Sequence, residues 1–153
     1  MSALVPAAAA AHQGCPLQAT PQLEIFPQLP AWCSTVHAAR DDRNAPLIQA
    51  GEILIIEGGD RAGWYPIDGQ LFLVEYETPP CHGYLHPIRS REIGQTFLNS
   101  RGDWHIGALR RGQVGRTIFC CDGPYRDEGY LSSKLIGKVV GLYGPSMKGR
   151  ANR

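Results

Sequence analysis

DDRNAPLIQAGEILIIEGGDRAGWYPIDGQLFLVEYE, residues 41–77, holds two apolar runs separated by turn chemistry. The first, Ile53-Leu54-Ile55-Ile56, lies between Ala50-Gly51 and Glu57-Gly58-Gly59-Asp60. A short unbroken run of aliphatic residues bounded by such breakers predicts a strand over 52–57, buried on both faces. Pro66, Asp68 and Gly69 then turn the chain into a second strand over 70–77. Alternation places Leu71, Leu73 and Glu75 on one of its faces and Phe72, Val74 and Tyr76 on the other.

Outward from this pair, Leu23 to Pro30 alternates apolar and polar residues but carries two prolines, which confines any strand there to an edge. Ala31 to Arg40 is compatible with a helical turn or a loop. Downstream, strands are expected at Gly83–Ile88 and Thr96–Asn99, with shorter ones at Trp104–Leu109 and Gln113–Phe119. Leu131 to Tyr143 predicts a closing strand in which Gly137 and Gly141 mark a bulge or a close backbone approach. Eighteen glycines and twelve prolines against two methionines favour short strands and frequent turns, so the expected class is mainly β with little helix. The length suits one domain over 23–145, between a flexible tail at 1–22 and a basic tail at 146–153.

Fifteen Lys and Arg against fourteen Asp and Glu give a formal charge of +1, which supplies no global field for a polyanion. Lys134, Lys138 and Lys148 are the only lysines, so candidates for a lysine base are few. Five cysteines form an odd set in a chain large enough to need no disulfide framework, which predicts free thiols and a cytoplasmic setting. Met1 to Ala11 lacks a basic n-region, and His12, Gln13 and Gly14 interrupt its apolar run. No signal peptide, transmembrane helix or membrane partner is therefore expected.

The order of these pieces resembles the catalytic domain of LexA-type self-cleaving repressors and related family-twenty-four serine peptidases. Their nucleophile motif is roughly Gly-Asp-Ser-Met-x-Pro, followed by an apolar pair, a Gly-Asp or Gly-Glu turn and an aliphatic strand. Asp41-Asp42-Arg43-Asn44-Ala45-Pro46-Leu47-Ile48 and Gly51-Glu52 to Ile56 follow that arrangement. Pro66-Ile67-Asp68-Gly69 is similar to the family's next turn, and Ile136 to Gly141 to its closing phrase. The resemblance covers about residues 40 to 145 and implies a curled β-sheet of the LexA and signal-peptidase kind.

The departure falls on the chemistry. A Ser-Lys dyad needs a hydroxyl nucleophile and an unprotonated lysine to take its proton. Arg43 stands at the nucleophile position, and Arg neither forms an acyl ester nor acts as a base. The lysine position is expected near Tyr84 to Arg89, a stretch with His86 but no lysine. The resemblance therefore implies a pseudo-peptidase that keeps the scaffold for transcriptional regulation in a bacterium or phage. It would pair with itself, with a LexA-type repressor or with another regulatory protein. By analogy with the family's dimers, pairing is expected through Val139, Val140, Leu142 and Tyr143 of the closing strand, and Trp64 and Tyr65 offer either interface anchors or core.

Other constellations are weaker. Cys81, His82 and His86, with Cys120, Cys121 and Asp122, contain metal donors but match no zinc spacing, and no metal or cofactor is expected. Cys33 or Ser34 with His37 or His86 would suit a hydrolase with a non-standard nucleophile, yet catalytic partners usually come from distant segments. Adjacent Ser133 and Lys134 would point to opposite faces of a strand. Arg89, Arg91, Arg110 and Arg111 suggest a nucleic-acid face, diluted by Glu92, Asp103, Asp122, Asp127 and Glu128.

Overall fold

The computed structural model describes residues 21–58, 63–80, 86–111 and 117–144, at 108–111 and 117–121 by backbone alone. Within them run β1 (Glu24–Phe26), β2 (Thr35–Ala38), β3 (Ile53–Glu57), β4 (Leu71–Thr78), β5 (Ile88–Leu98), β6 (Trp104–Arg111), β7 (Thr117–Tyr125), α1 (Glu128–Lys134) and β8 (Leu135–Tyr143). The strands join in one sheet of order β2-β3-β8-β4-β5-β6-β7, with β1 beside β8. Every pairing is antiparallel except that of β1 with β8. The class is mainly β, as the composition predicts. Residues 1–20 of the tail expected over 1–22, the basic tail at 146–153, and the strand positions 83–85 and 113–116 lie outside the described residues.

The two apolar runs of 41–77 form β3 and β4, and each behaves as its pattern requires. Leu54, Ile55 and Ile56 are fully buried while Ile53 reaches the surface. Leu71 and Leu73 join Leu54, Ile56, Ile93, Val139 and Leu142 in one core cluster, which Ile48 closes from the 41–50 loop. Phe72 and Val74 join Ile106, Tyr125, Leu131 and Leu135 in a second cluster on the opposite face, beneath α1. Each fully buried side chain of this kind contributes about 1.5–3 kcal/mol.

Downstream the segmentation differs from the sequence expectation. Thr96 to Leu98 belongs to one long β5 that begins at Ile88, and Thr35 to Ala38 becomes a strand by pairing with β3. Leu131 to Lys134 is helix, not strand. The Asp127 side chain caps its first turn by accepting from the Gly129 N–H at 2.8 Å, Glu128 and Lys134 complement the helix dipole, and Leu131 is its buried anchor.

The glycines of β8 do mark bulges and close approaches. Its register shifts against β3 between Ile55 and Ile56 and against β4 between Leu73 and Val74, which leaves Val140 and Ile136 as extra residues. A Cβ at Gly137 would stand 2.4 Å from Ile56, and one at Gly141 would stand 2.3 Å from the Glu24 carbonyl oxygen. These contacts let β1, β3 and β4 all meet one strand.

Candidate functional site

The 41–50 loop is built from its own polar residues. Asp42 accepts from the Ala50 N–H at 2.8 Å, Glu52 from the Gln49 N–H at 2.7 Å, and the Asn44 carbonyl from the Ile48 N–H at 3.0 Å. Among the described residues β6 pairs with β5 along Gln95 to Leu98, and no strand among them lies beside the earlier half of that β5 edge. The loop lies there: the Asn44 amide donates to the Ile93 carbonyl at 3.1 Å. Sequence-distant groups thus meet at Arg43.

The Arg43 guanidinium forks onto Asp41, with Nε at 2.9 and 3.0 Å from the two carboxylate oxygens and Nη2 at 2.8 Å. Its Nη1 is ion-paired with Glu92 of β5. The Asp41 hydrogen bonds outweigh desolvation and, with Glu92, raise the Arg43 pKa above its ordinary value. The group is a fixed cation with no capacity as a base. His37, Arg40, Arg91 and Ile93 line the cleft beside it. Burial, then the charges of Arg40 and Arg91, lower the His37 pKa.

Glu92, not His86, faces Arg43. His86 precedes β5, and Ile88 is already four residues, about 13 Å of extended strand, from Glu92. Cys33 donates its thiol to the Thr35 carbonyl at 3.3 Å and Ser34 its hydroxyl to the Gly58 carbonyl at 3.0 Å. Arg89 is paired with Glu77 at 3.2 Å and Arg91 with Glu75 at 3.0 Å, both across the β4–β5 ladder. Arg110 and Arg111 lie on β6, their side chains not described. Cys81 and His82 lie outside the described residues, among which no three His, Cys, Asp or Glu side chains converge as a metal site.

The β8 residues expected to pair with a partner do not stand at a sheet edge. β8 lies inside the sheet, with β3 and β4 along it and β1 beside its end, and Val139 and Leu142 are core residues. Val140 and Tyr143 are half-buried. Its backbone is committed within the chain because the register needs both neighbours. Trp64 is likewise half-buried against the second cluster, whereas Tyr65 is exposed.

A further constellation escapes the sequence pattern. Lys134 Nζ lies 5.0 Å from the ring centroids of Tyr76, Tyr125 and Tyr130 and donates to the Tyr125 hydroxyl at 3.1 Å. Tyr125 in turn donates to Asp122. Burial first, and then Asp122, keep the Tyr125 phenol protonated far above its usual range. This cation–π clasp ties the end of α1 to β4 and β7. The Asp127 cap is the one sequence signal that points to it.

Comparison with protein-family models, with curated proteins and with solved structures returns no match to this chain.

Proposed function

We propose that this protein is a catalytically silent relative of the LexA-type peptidase domain, acting as a cytoplasmic dimerisation or protein-binding module in transcriptional regulation in a bacterium or phage. One observation carries it: the side chain at the nucleophile position of the motif is Arg43, clamped by Asp41 and Glu92. The cleft therefore offers a neutralised ion cluster where a hydrolase needs a nucleophile and a neutral base. The surrounding pieces, from the 41–50 loop to β3, β4 and β8, are retained, and a scaffold kept without its chemistry is suited to recognition. Among the described residues no helix is long and apolar enough to cross a membrane.

Incubation of the full chain at alkaline pH followed by intact-mass measurement tests the silent site. The mass is expected to stay unchanged. Discrete self-cleavage fragments, abolished by substitution of Cys33 or Ser34, would establish a hydrolase with a non-standard nucleophile instead.

A further inference from the structure

The clasp at the end of α1 has the form of a binding site whose occupant belongs to the same chain. Tyr76 of β4, Tyr125 of β7 and Tyr130 of α1 set three rings around one point, and Lys134 Nζ fills it at 5.0 Å from each centroid. The Tyr125 and Tyr130 ring centroids are 5.9 Å apart with planes inclined at 43°, so the two rings form the walls of a corner and not a flat stack. Tyr125 is buried and Tyr76 half-buried, whereas Tyr130 is 56% exposed, where a groove bordered by Pro124, Tyr125 and Lys134 opens to solvent. The sheet thus fixes the inner walls of the cage, and solvent reaches the outer one.

The chemistry of the walls selects the class of ligand. A ring face attracts positive charge through its quadrupole but offers an N–H no oxygen acceptor. A primary ammonium has three N–H donors. Among the described residues Lys134 finds one oxygen for them, the Tyr125 hydroxyl at 3.1 Å. Tyr125 donates its own proton to Asp122, which sets a carboxylate behind the cage to balance a cation. Three ring faces and a single oxygen suit an ammonium carrying methyl groups better than the bare one that fills the cage.

We infer that Tyr76, Tyr125 and Tyr130 form a site for methylated ammonium groups, held shut by Lys134 as a tethered occupant. A short tether gives its group an effective concentration on the order of millimolar, so a free ligand of modest affinity does not displace Lys134 from the intact chain. The site opens when Lys134 withdraws, and it accepts Lys134 itself in methylated form. None of the Arg43 cluster's residues takes part, so the site stands or falls independently of the function proposed above.

Two measurements test the cage. Reductive methylation of the full wild-type chain with isotope-labelled formaldehyde marks its lysines, Lys134, Lys138 and Lys148. The Lys134 dimethylammonium signal, identified by loss of the other two in Lys138→Arg and Lys148→Arg, is expected upfield of both because its methyl groups lie over ring faces. A signal coincident with theirs would overturn the site. Calorimetric titration of Lys134→Ala with choline is expected to show saturable binding at least tenfold tighter than that of wild type. It is also expected to be at least tenfold tighter than binding of the uncharged carbon isostere, a dimethylbutanol. Adding Tyr130→Leu, which removes only the exposed wall, is expected to abolish that preference. Equal binding of choline and its isostere, or none by a Lys134→Ala chain with wild-type circular dichroism, would show that the three rings serve only to pack α1. If Lys134→Ala does not fold, the methylated wild type decides by itself.

Discussion

Arg43 and His37 share one cleft, and their responses to change differ in kind. Arg43 is a permanent cation whose partners are partly exposed, so the clamp adds only up to about 1 kcal/mol to stability. Arg43→Ser is accordingly expected to fold and to remain uncleaved in intact-mass measurements, because the group facing the new hydroxyl is the carboxylate of Glu92. His37 titrates. Its native pKa lies below the unfolded value of 6.5, through burial and then Arg40 and Arg91, with Asp41, Arg43 and Glu92 also around the cleft. The native state therefore binds fewer protons than the unfolded state, and its stability rises with pH through this window. The contribution is complete above about pH 6.5 and is lost as pH falls toward the native pKa. Urea midpoints measured on either side of that window should drop on the acid side for wild type, and His37→Gln should reduce the drop. An unchanged pH slope in His37→Gln would show that His37 is not the source.

Elements here depend on two devices, close backbone approach and helix capping. Gly141→Ala puts a methyl 2.3 Å from the Glu24 carbonyl, where backbone has to move, and is expected to cost roughly 3 kcal/mol in chemical denaturation. Asp127→Ala removes only the cap of α1 and is expected to cost about 1 kcal/mol, a melting shift of about 2–4 °C. Reversal of that order would mean that β1 docks loosely and α1 carries the second cluster. The same devices explain what the sequence revealed. β3 and β4 were legible because their apolar periods are unambiguous, down to the two faces of β4. α1 was not, because Leu131, Leu135 and Ile136 run from a seven-residue helix into a strand with no breaker between them, and only Asp127 marks the start. Thr35-Val36-His37-Ala38 has too little apolar character to declare a strand, and it is strand because β3 supplies a partner. Arg43 stood out through its motif, whereas Glu92 came to it through the docking of the 41–50 loop along β5, a tertiary fact that local pattern does not encode.

At the scale of the whole molecule, charge separates a protein-binding module from a nucleic-acid reader. The formal charge is +1, so attraction to a polyanion has to come from a local basic face. The two described candidates for that face, Arg89 and Arg91, already spend their guanidinium groups on Glu77 and Glu75. A phosphate would have to displace those carboxylates and leave them facing its own negative charge. Fluorescence anisotropy with labelled single- and double-stranded DNA is therefore expected to show no binding at about 0.15 M salt, where the Debye length is about 8 Å. At lower salt, any weak association should vary little between sequences. Tight binding that weakened steeply with added salt would reverse this conclusion, since such a slope counts released counterions and hence phosphates engaged. Arg110 and Arg111 on β6 would then be the residues to replace: loss of slope on their substitution, with Arg89 and Arg91 intact, would locate the face on the β6–β7 hairpin.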